Sequence, residues 1–426
     1  MIKKIITKFS DSPKLFITLG VIILLLLADV TLYVLDLFWG AEKGVIFTYR
    51  VTDLIINSNL LIIITLLIVY ILSVLISNFK SIKKIMQNLA ISLIAVVILL
   101  SVLELVFYCI IKFSYNPYPY AYDYHDGTLF RSDSILGFGI NKNVAAQYSK
   151  IFVDPAKPNA PTSYIFNTTI RTDSLGNRAI NIPDMQTRNK YALFFGCSFT
   201  FGLGVEDTQT IPYLFAKGDS NFCTYNFAVT GYGPQNALSQ LQYQNIPKSV
   251  KQDSGICFYI YMHDHPARVI GTMKIYTTFG RDLPYYDYKD GDLHRYGLFS
   301  TDRWFISSFY TLMSKSNVLK YFNVTFPPHL SDRDYKLTCD ILYKSYLEYK
   351  RQFHNDNFYV IIYPNSQNIL PYLKSYNLKI LDFSNLFAHV DQSKYLIPYD
   401  GHPTALANEV FSRELIKTLK KLNIKY

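Results

Sequence analysis

The sequence predicts an α/β domain built on a parallel sheet with helices on both faces, carried behind a membrane anchor of three helices. Three observations carry this expectation. Short apolar runs alternate with helix-patterned segments from Tyr191 to the C-terminus, the arrangement that produces a covered parallel sheet. Three long apolar stretches precede Phe113. Lysines cluster beside those stretches rather than on a separate basic surface.

The anchor is argued first. Of the 426 residues, 50% are hydrophobic and 17% charged, too apolar a balance for an ordinary soluble chain. The stretches Leu15–Phe38, Leu54–Ser77 and Leu89–Phe113 each reach the roughly 20 residues that cross a bilayer as a helix. The first is too long for a signal-peptide core and no small-residue cleavage site follows it. Lys3, Lys4, Lys8 and Lys14 precede the first span, and Lys80, Lys83 and Lys84 separate the second from the third. Positive loops stay in the cytoplasm. The N-terminus is therefore expected inside a bacterial inner membrane, with everything after Phe113 on the periplasmic side. The excess of ten positive charges is read as topological, and no nucleic-acid partner is expected. Asp29 and Glu104 fall inside these spans. Each is expected to be protonated or to hydrogen-bond a neighbouring span, because an ionised carboxylate in hydrocarbon is costly.

Residues 114–190 form a lead-in, read as short strands and loops, with DPAKPNAPTS (154–163) as a long loop. The main domain spans 191–426. Its strands are Tyr191–Phe195, Thr224–Val229, Ile256–Met262, Phe358–Tyr363 and Leu378–Leu381. Its helices are Ile211–Lys217, Pro234–Asn245 and Thr404–Leu422. An insertion at about 266–330 interrupts the alternation. Residues 266–356 as a whole hold two expected helices, Arg303–Phe322 and Asp332–Phe353, the second capped by Ser331 and read as the crossover before the fourth strand. The five cysteines show no CxxC spacing. Their odd number excludes a fully paired framework and leaves room for one disulfide among the last four. No cofactor motif is present.

Ligands of parallel α/β sheets bind at the carboxyl ends of the strands. Here those ends read GCS, TGYG, HDH and PNS. Cys197 and Ser198 stand side by side after a strand–glycine turn, and either could be a nucleophile. A serine hydroxyl needs a base within hydrogen-bond reach. His402 in YDGHPTALAN (399–408) is the candidate base, and Asp400 the residue to orient it. The N–H groups of Ser198 and Gly231 are candidate donors to a developing oxyanion. Arg268 and Asn236 are candidate substrate-binding residues. His263, Asp264 and His265 could suggest a metal, but successive strand residues point to opposite faces, and two ligands make no zinc site. No metal is expected.

The ordered blocks GCSFTFG, NFAVTGYG and DGHP resemble the SGNH (GDSL-like) hydrolase family. The resemblance runs from Tyr191 to the C-terminus. The LGFG and SLGNR stretches upstream look like the lead-in of membrane-tethered bacterial members. It implies a flavodoxin-like three-layer α/β/α sandwich, with Ser198 as nucleophile, His402 as base, Asp400 as its partner and Gly231 as oxyanion glycine. Two departures stand out. Cys197 replaces the aspartate of GDS, and His263 stands where the family has an oxyanion asparagine, a place in which a neutral imidazole can donate one hydrogen bond. The resemblance, with the topology, implies a membrane-anchored serine esterase or O-acyltransferase acting on acylated envelope or exported glycans. Its partners are the bilayer, the acylated substrate and, if acyl groups are delivered from within, a membrane acyltransferase. The alternative is a catalytically inactive glycan-binding or scaffold protein of the same fold.

Overall fold

A computed structural model describes residues 80–113, 120–154 and 162–422. The first two expected spans lie outside them, as does most of the 154–163 loop. The chain divides into two compact units. One comprises the N-terminal 115 residues with Lys315–Asn323, and the other holds the rest.

In the first unit, the third expected span falls within a helix running Lys80–Phe113. Among the described residues this is the one helix long and apolar enough to cross a membrane, over Ala95–Lys112. Its carboxylate Glu104 accepts hydrogen bonds from the Ser316 hydroxyl and, at 2.6 Å, from the Asn317 N–H. It thus caps the short helix Asn317–Tyr321, where an anion meets the positive end of the helix dipole. Phe107 packs on Tyr321 and Phe322 one turn further on. Among the described residues, the partner of Glu104 is a segment of the distant insertion.

The second unit begins with regular antiparallel structure where short strands and loops were expected. Strands β1 (Tyr120–His125), β2 (Phe130–Asp133), β3 (Gly137–Ile140), β4 (Ala145–Val153) and β5 (Ser163–Arg171) form a three-stranded sheet, β1-β4-β5, and a hairpin, β2-β3. The β4 and β5 runs alternate buried and exposed residues at their paired ends, as a sheet with one wet face requires.

Then comes the α/β alternation: β6 (Lys190–Phe195), β7 (Phe222–Asn226), β8 (Ser254–Tyr261), the antiparallel hairpin of β9 (Pro284–Lys289) and β10 (Asp292–Leu298), then β11 (Phe358–Ile362) and β12 (Lys379–Asp382). Five of these pair in parallel in the order β12-β11-β8-β6-β7. Numbered within the sheet, that is the doubly wound order 2-1-3-4-5 with its switch point beside β6. Its two faces bury separate apolar clusters. One lies under Pro234–Tyr243 and Asp332–Phe353, the other under Ile211–Gly218 and Ala405–Lys421. The helix at 332–353 starts after Ser331 through a capping box with Asp334. The expected helix Arg303–Phe322 is broken into Trp304–Met313 and Asn317–Tyr321, because Ser316 caps the second piece. All five cysteines are free, which corrects the room left for a disulfide.

Candidate active site

The nucleophile turn is shaped by steric demand. Strand β6 ends at Phe195, and Gly196 adopts a φ of +154° where a Cβ would strike the Thr200 side chain. This forces a sharp turn into the helix Ser198–Phe201. Cys197 points into the apolar cluster of Phe194 and Ile260 and is fully buried. Burial holds its thiol above the usual value, so no thiolate is available there. Ser198 faces the other way, toward the last loop.

That loop is tied at both ends. The Ile397 N–H donates to the His402 carbonyl and the Thr404 N–H to the Tyr395 carbonyl. Thr404 then caps the helix Ala405–Lys421. Between these ties, Ser198 Oγ lies 2.8 Å from His402 Nε2, and His402 Nδ1 lies 2.5 Å from Asp400 Oδ1. The carboxylate fixes the tautomer: Nδ1 carries the proton and donates it to Asp400, leaving Nε2 to accept from the serine. Asp400 Oδ1 also accepts the backbone N–H of His402 at 3.0 Å. Burial pushes the Asp400 carboxyl up, but His402 and Lys150 outweigh it and hold it at about 2. Phe199 packs against the imidazole, with ring centres 5.1 Å apart.

The Ser198 N–H, at the first position of its helix, and the Gly231 N–H have no acceptor among the described residues. Gly231 sits at φ +82° with Phe279 and Phe138 where a Cβ would go. Only glycine presents its amide there without strain.

The remaining expected residues are placed differently. His263 is exposed and lines an apolar cavity of about 160 Å³ with Phe199, Met262, Tyr363 and Leu396. Its ring bonds neither Ser198 nor His402. His265 is fully buried; its Nδ1 accepts from the Tyr259 hydroxyl and the Met262 N–H. It supports the turn after β8 and does not enter the site. Arg268 and Asn236 correct the expectation of substrate binding. Arg268 is buried, paired with Asp264 at 2.7 Å, and donates to the Tyr232 carbonyl. Asn236 is fully buried, accepts from the Gly233 N–H and donates to the Leu136 carbonyl. Both hold the TGYG turn from buried positions, bonded to groups of the protein itself.

Two cations absent from the sequence reading border the site. Arg178, from SLGNR, is 1% exposed. It pairs with Asp207 at 2.9 Å and donates to the carbonyls of Phe201, Gly202 and Val205 at the end of the nucleophile helix. Lys150 of β4 lies 2.8 Å from Asp400 Oδ2. The RTDSLGNR turn signalled Arg178 only as a loop residue, and no local signal marks Lys150, which lies 250 positions from its partner.

The sequence matches no family profile and no curated protein. Among solved structures, it is similar to a member of the lipolytic protein G-D-S-L family from Veillonella parvula, at 11% identity and a TM-score of 0.31, covering 54% of this chain and 98% of that one. It is also similar to a catalytic mutant of an acetylxylan esterase from Geobacillus stearothermophilus, at 10% identity and a TM-score of 0.31, covering 56% of this chain and 96% of that one.

Proposed function

We propose that this chain is a membrane-anchored serine esterase or O-acyltransferase of the SGNH (GDSL-like) kind, acting on ester-linked acyl groups of cell-envelope or exported glycans. The observation that carries this reading is the unbroken hydrogen-bond series Ser198–His402–Asp400 at the carboxyl ends of a parallel sheet. Ser198 Oγ attacks the ester carbonyl carbon while His402 Nε2 takes its proton. Asp400 stabilises the imidazolium. The Ser198 and Gly231 amides stabilise the tetrahedral oxyanion, and His263, exposed beside the apolar cavity, is the side-chain donor this reading assigns to it. Collapse breaks the ester C–O bond, and His402 returns the proton to the leaving alcohol. Water or a sugar hydroxyl then attacks the acyl-serine, with His402 again acting as base, and releases the acid or the transferred ester.

The apolar helix and the flanking lysines support a tether, which suits substrates that do not diffuse away. The test uses the purified full chain. It should hydrolyse an aryl acetate and label with a fluorophosphonate, and Ser198→Ala should abolish both. Equal labelling of the two proteins would remove the serine from the mechanism.

A further inference from the structure

We propose that Lys150 is a positioning residue of this site, a fourth member that clamps Asp400 from the lead-in sheet and opposes charge on His402. The inference rests on the serine-hydrolase reading above and extends it to a residue outside the α/β domain. The geometry comes first. Asp400 has no solvent-exposed side-chain surface, and both of its oxygens are engaged. Oδ1 meets His402, and Oδ2 meets the Lys150 ammonium at 2.8 Å. A carboxylate held at both oxygens cannot rotate out of the plane of the imidazole.

The lead-in sheet is built to deliver this ammonium. Lys150 stands directly across from Asp123 on β1, and their side chains pair at 3.4 Å. The β4–β5 register slips between Lys150 and Ile151, and such irregularities re-aim side chains next to active sites. Phe152, two residues on, packs its ring on Tyr399, so β4 grips the catalytic loop at two points. The titratable groups facing this pair are Asp123 on β1, Tyr148 on β4, and Asp400 and His402 on the loop. Burial works against the Lys150 charge, but Asp400 and Asp123 keep it above its usual value. It is therefore cationic throughout the working range.

The electrostatic consequence has a definite sign. Imidazolium forms next to Asp400, and the lysine charge repels it through that carboxylate. Removing the charge favours the imidazolium, so a higher pH is needed to keep His402 a base. Lys150→Met should move the acid limb of the fluorophosphonate labelling profile up by about one pH unit, the scale of one neighbouring charge. Loss of the clamp should also slow labelling on the order of tenfold to a hundredfold. Lys150→Arg should restore the limb. Asp123→Asn removes the counter-charge from a half-exposed position, and should move the limb slightly down. If Lys150→Met only loses rate or folding stability while its acid limb overlays that of the wild type, Lys150 is structural packing and the proposal falls. If Asp123→Asn moves the limb up, the sign is wrong and the proposal falls on a variant with little risk of misfolding. Absence of labelling in the unaltered chain would instead bring down the serine reading, and this proposal with it.

Discussion

The second unit contains two sheets of opposite character, and their difference explains the division of labour at the site. Strands β6, β8 and β11 read KYALFF, SGICFYIY and FYVII, with every residue after the first buried in β6 and β8 and every residue buried in β11. A parallel sheet covered on both faces has no room for a charge along its length. Beyond the carboxyl ends of these strands Ser198, Gly231 and His402 gather. The antiparallel β1-β4-β5 sheet has a wet face and carries charge in mid-strand, at Asp123 and Lys150. The apolar sheet presents the Ser198–His402 pair. The wetter lead-in, with the SLGNR turn that follows it, presents the cations that hold them.

The sharpest way to break this contrast is to remove a lead-in cation and compare it with removal of the nucleophile. Arg178→Met takes from Asp207 its buried guanidinium, leaving it only the half-exposed Arg171, and takes a donor from three carbonyls. Breaking such a pair from one side costs about 3–5 kcal/mol, which urea unfolding will read. Ser198→Ala should unfold at the wild-type midpoint while losing all activity. An unshifted midpoint in Arg178→Met would show that the lead-in does not support the nucleophile helix.

A second effect belongs to the parallel sheet. Burial, aided by Arg268, holds the His265 imidazole down to about 3, against its ordinary 6.5. The unfolded chain takes up a proton below 6.5, whereas the folded chain does not until about 3. Stability should therefore fall as pH drops through that window, by about 1.4 kcal/mol per pH unit for this one group, and show no slope from it above. His265→Gln should flatten the dependence of the unfolding midpoint between pH 6 and pH 4. A slope identical to the wild type would place the acid sensitivity elsewhere.

The smallest effect concerns substrate charge. Because Arg268 is paired with Asp264 and the Tyr232 carbonyl, Arg268→Gln should slow a neutral aryl acetate and an anionic aryl succinate by the same factor. A selective loss on the succinate would return Arg268 to substrate binding.

Much of the α/β domain was legible in the chain. Buried strands advertise themselves as unbroken apolar runs, and the expected strands fall within three residues of the observed ones at each end. The Ser198, Asp400 and His402 set was legible because motif order along the chain reflects strand order in a doubly wound sheet. The same reasoning misplaced Arg268 and Asn236. A polar residue near a motif looks available until its hydrogen bonds are traced, and these two are held by Tyr232, Gly233 and Leu136. It also expected only short strands and loops in the lead-in, since Gln, Ser and Lys interrupt the apolar residues of β4, and Asn and Thr those of β5.

By itself the sequence determined the covered parallel sheet, the apolar helix ending at Phe113, and the preference for Ser198 over Cys197. Each follows from local patterning: runs of apolar residues, glycine at a turn, histidine two positions after aspartate. Only the tertiary structure decided that Lys150 closes on Asp400, that Arg178 braces the nucleophile helix, and that Glu104 caps a helix more than 200 residues away. These are charge pairings between segments remote along the chain. Their partners are chosen by which buried carboxylate or carbonyl is left without a donor once the chain has folded, and no spacing along the sequence records that choice.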